Sequence, residues 1–75
     1  MNLSYAILIQ WSDEDQCYLV HLPDFPSQKF HTHGATYQEA LDNAQEVLEL
    51  LITEYQDEQK PLPKPKALIG FSQVV

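Results

Sequence analysis

Three histidines and one aspartate are the side chains of this sequence that come closest to a pattern for metal chemistry. His31 and His33 alternate with Thr32, so in a strand both imidazoles would project from the same face. His21 or Asp24 would add a ligand if the strands paired suitably. A closed zinc site usually takes four ligands, and no Cys-x-x-Cys pair supplies the rest. Ordinary strand histidines are the competing interpretation, and we expect no metal and no cofactor.

The other reactive side chains form weaker patterns. Asp13, Glu14 and Asp15 resemble the start of a calcium loop, but the glycine and the distant glutamate of an EF-hand are missing, so a solvated turn fits better. Cys17 is the only cysteine, which excludes an internal disulfide framework and is typical of a reducing cytoplasm. With two glycines in the chain there is no glycine-rich phosphate loop. The sequence is therefore expected not to encode an enzyme.

Length and charge limit the partners that this chain can bind. Its 75 residues leave room for one domain, and a chain of this size buries only about 60% of its unfolded surface, so we expect a homodimer or homotetramer. Eleven acidic residues against four basic ones give a net charge of −7. That sign disfavours a phosphate backbone or an anionic membrane, so no direct nucleic-acid binding and no membrane association are expected. A basic protein is the better partner, although surplus acid also serves solubility.

The first half of the chain is predicted to form strands joined by tight connections. A period-two apolar pattern predicts a strand over 3–11, and β-forming residues resume over 17–22, so the two segments form an antiparallel hairpin. Pro23 and Pro26 then impose a corner, because each proline restricts φ and lacks an N–H. A short third strand is predicted over 28–33. Both faces of the hairpin carry apolar residues, whereas one helix covers only one face, so we expect a second copy on the other.

A helix over 37–58 is the clearest local prediction. Thr36 and Glu39 form a T-x-x-E capping box, in which each side chain satisfies an otherwise unpaired backbone N–H. Gly34 is expected to supply a positive φ where the strand turns into the helix. The apolar stripe of the helix recurs at the spacing of one buried face and consists of Ala40, Leu41, Ala44, Val47, Leu48, Leu51, Ile52 and Tyr55. The opposite face is acidic and has no lysine or arginine.

The end of the chain predicts one more strand. A proline-rich connector covers 60–66, and the apolar, β-prone segment 67–75 follows it. The elements make one α+β domain over 1–75 in the order β-β-β-α-β, a small antiparallel sheet with one helix packed on one face. Because the sequence ends with this predicted strand, we expect no DNA-binding domain.

The stretch from Tyr18 to Ala44 resembles the HicB-type antitoxin family. Members of this family typically show a strand that ends in P-D-[LF]-P, then a short strand, a glycine, a Thr or Ser cap, and an E-A pair that opens the helix. The matching positions are Pro23, Asp24, Phe25, Pro26, Gly34, Thr36, Glu39 and Ala40. With the preceding hairpin, the resemblance covers residues 5–52.

The resemblance implies a partial RNase H-like fold without the catalytic acids of the nuclease, in a type II toxin–antitoxin pair. The implied partner is a small, basic HicA-like toxin, an mRNA interferase whose RNA-binding or catalytic surface the antitoxin covers. The negative charge of this chain agrees with such a partner. We expect the partner-binding residues in the acidic hairpin turn or on the outer face of the helix; they are Asp13, Glu14, Asp15, Glu46 and Glu49.

Two alternatives stay open at this point. The chain could be a solitary oligomeric family member without a toxin. It could also be a small metal-binding protein or enzyme that uses His31, His33 and Asp24 in a cleft between subunits.

Overall fold

The computed structural model describes residues 4–25 and 30–65, which form a three-stranded antiparallel sheet and one helix. The elements are β1 (Leu8–Ser12), β2 (Cys17–His21), β3 (Thr32–Gly34) and α1 (Tyr37–Asp57). The strands lie in the order β1-β2-β3, and α1 packs on one face of the sheet. The predicted α+β fold is therefore confirmed. The fourth strand of an RNase H-like topology, predicted at 67–75, lies outside the described residues.

All three strands differ in their bounds from the predictions of 3–11, 17–22 and 28–33, β2 by a single residue. β1 begins only at Leu8, because the backbone N–H of Ala6 is donated to the carboxylate of Asp24 at 3.1 Å instead of pairing with a neighbouring strand. β3 spans Thr32–Gly34, and residues 28 and 29 of the range predicted for it lie outside the described part of the chain. The connector has no regular structure over residues 60–65.

The core forms between one sheet face and the predicted apolar stripe of the helix. In the hairpin Ile9 lies opposite Val20, and residues directly opposite each other project from the same face. Val20 is fully buried. The core cluster consists of Val20, Leu22, Phe25, Ala40, Ala44, Leu48 and Ile52. Its four helical members recur every fourth residue, so they form one row along α1 and bury the face that the sequence pattern predicts.

Both ends of α1 are capped. The Thr36 hydroxyl accepts from the Glu39 N–H at 3.0 Å, as the capping box predicts. The Glu39 carboxylate, however, accepts from the N–H of Ala35 at 3.0 Å and not from that of Thr36, so the reciprocal half of the box is displaced by one residue. At the other end Gln59 has a positive φ of 56°, and the N–H of Lys60 donates to the Tyr55 carbonyl at 2.8 Å, which together form a Schellman cap. Within the described ranges, no helix combines the length and apolar character needed to cross a bilayer.

Gly34 is required by a close approach and not by its backbone conformation. The prediction of a positive φ is wrong, because Gly34 lies at the end of β3 with φ outside the left-handed region. A Cβ at this position would instead meet the backbone N of Ala40 and lie 2.7 Å from its Cα. Neither atom can move without displacing the first turn of α1. The strand and the helix therefore touch backbone to backbone at this point.

We expect Gly34→Ala to destabilise the fold by at least about 2 kcal/mol, because the added methyl group forces the helix away from the sheet. For a chain of this size the loss corresponds to a fall in Tm of roughly 10 °C. Thermal unfolding followed by circular dichroism measures it. The exposed neighbour offers a control, since Ala35→Ser should change the unfolding free energy by less than about 0.5 kcal/mol. A Gly34→Ala protein with the Tm of the wild type would contradict the close approach.

Candidate functional site

The predicted partner-binding acids form two separate groups. Asp13, Glu14 and Asp15 are all exposed at the tip of the β1–β2 hairpin. Glu46 and Glu49 are exposed on the outer face of α1. They lie at least about 14 Å along the helix axis from Tyr37, the first residue of α1. The two groups of acids therefore do not converge.

The hairpin turn holds its acids in defined positions. The Asp13 carboxylate accepts from the indole N–H of Trp11 at 2.8 Å. The Ser12 hydroxyl donates to the Asp15 carboxylate at 3.0 Å and accepts from the Asp15 N–H at 3.1 Å. Gln16 closes the turn through its N–H, which donates to the Ser12 carbonyl at 2.8 Å, and has a positive φ of 54°. The turn is therefore an ordered acidic surface.

The helix acids surround an apolar side chain. A shallow depression on the outer face of α1 is lined by Glu46, Glu49, Leu50 and Thr53. Leu50 is 64% exposed. Because both carboxylates are solvated, this surface is more weakly organised than the hairpin turn.

The sheet face away from α1, called the open face below, has a different composition. Because residues alternate along a strand and Val20 faces the helix, the open face is formed by Leu8, Gln10, Ser12, Cys17, Leu19, His21 and His33. These strand positions include no carboxylate. Leu8 is 45% exposed, and the buried Nδ1 of His21 has no hydrogen-bond partner among residues 4–25 and 30–65. At the turn end, a depression of about 550 Å³ is lined by Asp15, Cys17, Leu19, His33, Ala35 and Glu39.

Three aromatic rings on the helix side of the sheet form a surface that the sequence analysis did not identify. Trp11 lies opposite Tyr18, with ring centroids 5.0 Å apart at 68°. Tyr18 lies against Tyr37, the first residue of α1, at 4.3 Å and 33°. We call Trp11, Tyr18 and Tyr37 the aromatic ladder. The period-two pattern predicts the strand that carries Trp11, but the position of Tyr37 depends on where the helix lies.

The proline corner is a turn that carries an aromatic ring into the core. The N–H of Phe25 donates to the carbonyl of Leu22 at 2.9 Å, and Pro23 occupies the second turn position, where its restricted φ fits. Phe25 is 1% exposed. Its ring centroid lies 4.9 Å from that of Tyr5 and 5.5 Å from that of Tyr55. Pro26, the second proline of the motif, lies outside the described residues.

His31 and Asp24 fasten this corner to the rest of the domain. The Nδ1 atom of His31 accepts from the N–H of Leu22 at 3.2 Å, and its Nε2–H donates to the carbonyl of Phe25 at 2.9 Å. This pair of bonds requires the neutral imidazole, because Leu22 offers only a donor and Phe25 only an acceptor. Asp24 is 5% exposed and accepts from the N–H of Ala6. Both side chains therefore have structural roles.

These contacts give no support to the metal or enzyme hypothesis for His31, His33 and Asp24. Backbone groups occupy both ring nitrogens of His31, so neither has a lone pair for a metal ion. The carboxylate of Asp24 is directed to the backbone, and His33 is exposed on the open face. Among the described residues there is no group of three or more His, Cys, Asp or Glu side chains that could hold a metal ion.

The surroundings of His31 favour its neutral form. Burial lowers the pKa of His31, the hydrogen bond to the Phe25 carbonyl opposes that shift, and the positive charge of His21, when protonated, lowers the pKa further. The two rings lie 5.5 Å apart. The pKa of His31 in the folded state is therefore below the ordinary value of about 6.5 for an unfolded chain.

We expect the His31 contribution to stability to be complete above about pH 6.5 and to be lost as the pH falls below that value. Stability falls at low pH because His31 binds a proton more readily in the unfolded chain than in the folded one. Urea unfolding at pH 7.5 and pH 5.5 measures the difference in unfolding free energy between the two pH values. His31→Asn should reduce that difference, because asparagine does not titrate in this range. The exposed His33 provides the matched control, so His33→Asn should keep the wild-type pH dependence. Equal pH dependence in the two variants would contradict this role of His31.

Comparison with known proteins supports a family assignment for the chain. A family profile described as the HicB_like antitoxin of bacterial toxin–antitoxin systems matches residues 4–71. Neither the curated proteins nor the solved structures gave a match. The profile spans the hairpin, the proline corner and the whole of α1, so the residues that carry the resemblance in the sequence lie inside the match. The chain therefore belongs to the HicB-like family of antitoxins.

Proposed function

We propose that this protein neutralises a small basic mRNA-interferase toxin in the cytoplasm by covering its RNA-binding or catalytic surface, without catalysis of its own. The observation that carries this proposal is the HicB-like antitoxin profile over residues 4–71. Family membership supports an antitoxin role, and the net charge of −7 supports a basic HicA-like partner.

The distribution of charge favours a cationic partner over most of the described surface. The only basic residues other than histidine are Lys29, Lys60, Lys64 and Lys66, so none falls in 1–28 or 30–59. Both acidic groups, the hairpin turn and the outer face of α1, lie in these cation-free ranges. The resulting negative potential attracts a basic toxin over distances of about a Debye length, roughly 8 Å at physiological salt.

Co-expression with the short, lysine-rich product of the neighbouring reading frame tests the antitoxin role. We expect that product to arrest growth and degrade mRNA when expressed alone, and this protein to restore growth and to co-purify with it. Because opposite charges steer the association, raising NaCl from about 50 to about 500 mM should slow association at least about tenfold, as stopped-flow mixing would show. Absence of both complex formation and rescue would contradict the proposal.

We also propose that a second copy of the chain covers the open face. Two copies that each carry −7 repel one another, so self-association is most favourable through the surface with the fewest carboxylates. The strand positions of the open face contain none, and Leu8 and Leu19 supply apolar area there. The hairpin turn and the outer face of α1 then stay accessible to the toxin.

Sedimentation velocity tests this arrangement. We expect the wild type to be a dimer or tetramer at about 10 µM, and Leu8→Glu to weaken self-association at least about tenfold, because the new carboxylate would be buried without a partner. Leu50→Glu, the same change at an exposed leucine of α1, should leave the oligomer intact. A folded wild-type monomer at micromolar concentration, or equal effects of the two substitutions, would overturn the arrangement.

A further inference from the structure

We propose that the aromatic ladder and the adjoining hairpin turn bind an arginine-bearing segment of the basic partner. This inference rests on the proposed function, because it names the surface at which the toxin is held and the kind of side chain that it presents. The ladder lies on the helix side of the sheet. Tyr37 places one end of it at the first turn of α1, and Asp13 lies beside Trp11 at the other end.

The exposure of the ladder is the first argument for a binding surface. Trp11 is 47% exposed and Tyr37 is 66% exposed. Both are large, rigid side chains that lose little conformational entropy on binding, and Trp and Tyr are enriched among the residues that dominate interface energies. Tyr18 fixes their spacing, since its ring contacts both. The ladder is therefore a continuous aromatic surface and not a set of scattered exposed side chains.

The charge beside the ladder is the second argument, because it selects a cation. The Asp13 carboxylate is held against the indole N–H of Trp11, and Glu14 and Asp15 follow it in the turn. Loss of hydration, followed by the hydrogen bond and the charge of Tyr37, raises the pKa of Tyr18. Aromatic faces beside carboxylates attract a cation through the ring quadrupole and through direct ion pairing. Arginine fits better than lysine, because its planar guanidinium stacks on a ring while its fork binds a carboxylate.

Other occupants fit this surface less well. A second copy of the chain would bring the three turn acids against three more, and neither copy has a lysine or arginine in residues 1–28 to offset them. RNA and anionic lipid carry the same sign of charge as the turn. The chain has no arginine of its own, so the arginine must come from a different, basic protein.

Trp11 is the only tryptophan of the chain, so its fluorescence reports directly on this surface. Titration of the full chain with acetylated hexa-arginine should give a saturable change in Trp11 emission. Hexa-lysine of the same length should bind at least about threefold more weakly, since it lacks the stacking contribution. No saturable change with hexa-arginine, or equal affinity for both peptides, would overturn the inference.

Matched variants locate the interaction on the ladder. Asp13→Asn keeps an acceptor for the Trp11 indole but removes the charge, and Tyr37→Leu removes the exposed ring. Each should weaken hexa-arginine binding at least about threefold. Asp57→Asn, which removes one exposed charge from the last turn of α1, should change it by less than a factor of two. Circular dichroism shows whether the variants remain folded. Equal weakening by Asp13→Asn and Asp57→Asn would show attraction by net charge alone and would overturn the assignment.

The same three variants, tested against the co-expressed basic toxin, separate the two proposals. If the toxin binds the wild type and every variant equally, the antitoxin role stands and the ladder assignment is wrong. If no basic protein binds the wild type, the antitoxin role fails, while the peptide titration still decides whether the ladder binds arginine. Weakening of the toxin complex at least about tenfold by Tyr37→Leu, and not by Asp57→Asn, is the result expected if the ladder binds the toxin.

Discussion

At residue 34 the third strand passes so close to the first turn of α1 that even a methyl group would collide with the backbone of Ala40. This contact sets the distance between the helix and the sheet at one end. The remaining members of the helical row, Ala44, Leu48 and Ile52, then lie over the strands and the proline corner as a single layer. It also fixes where the helix starts, and with it the position of Tyr37 against Tyr18. The core and the aromatic ladder thus depend on the same backbone contact.

One helix on a three-stranded sheet leaves two kinds of surface with different chemistry. The open face has leucine, cysteine and histidine but no carboxylate at its strand positions, and Asp15 and Glu39 line the depression at its turn end. The hairpin turn and the outer face of α1 carry the exposed acids. Because like charges repel and opposite charges attract, the first surface suits a copy of the chain and the others suit a basic protein.

The sequence patterns predicted the elements better than the contacts between them. Alternation along the hairpin and the capping box at Thr36 are local signals, and both correspond to elements of the structure. The role of His31 is not local, because its ring binds backbone groups six and nine residues away that only the folded corner brings together. For that reason a pair of alternating histidines resembled metal ligands.

The roles of Gly34 and Tyr37 likewise depend on contacts between elements, which local sequence patterns do not predict. A glycine between a strand and a helix is often needed for its φ, and the sequence alone does not show that another backbone approaches it. Tyr37 is the first residue of the helix and lies off the buried row, so periodicity assigns it to solvent. Its contact with Tyr18 follows only from the placement of the helix on the sheet.

The capped start of α1 has a consequence for recognition. Glu39 in the first turn complements the helix dipole, and Thr36 satisfies the Glu39 N–H. Tyr37 belongs to this turn and its ring contacts that of Tyr18, so its position does not depend on a ligand. A ligand that docks there therefore meets a preorganised site and loses little affinity to ordering.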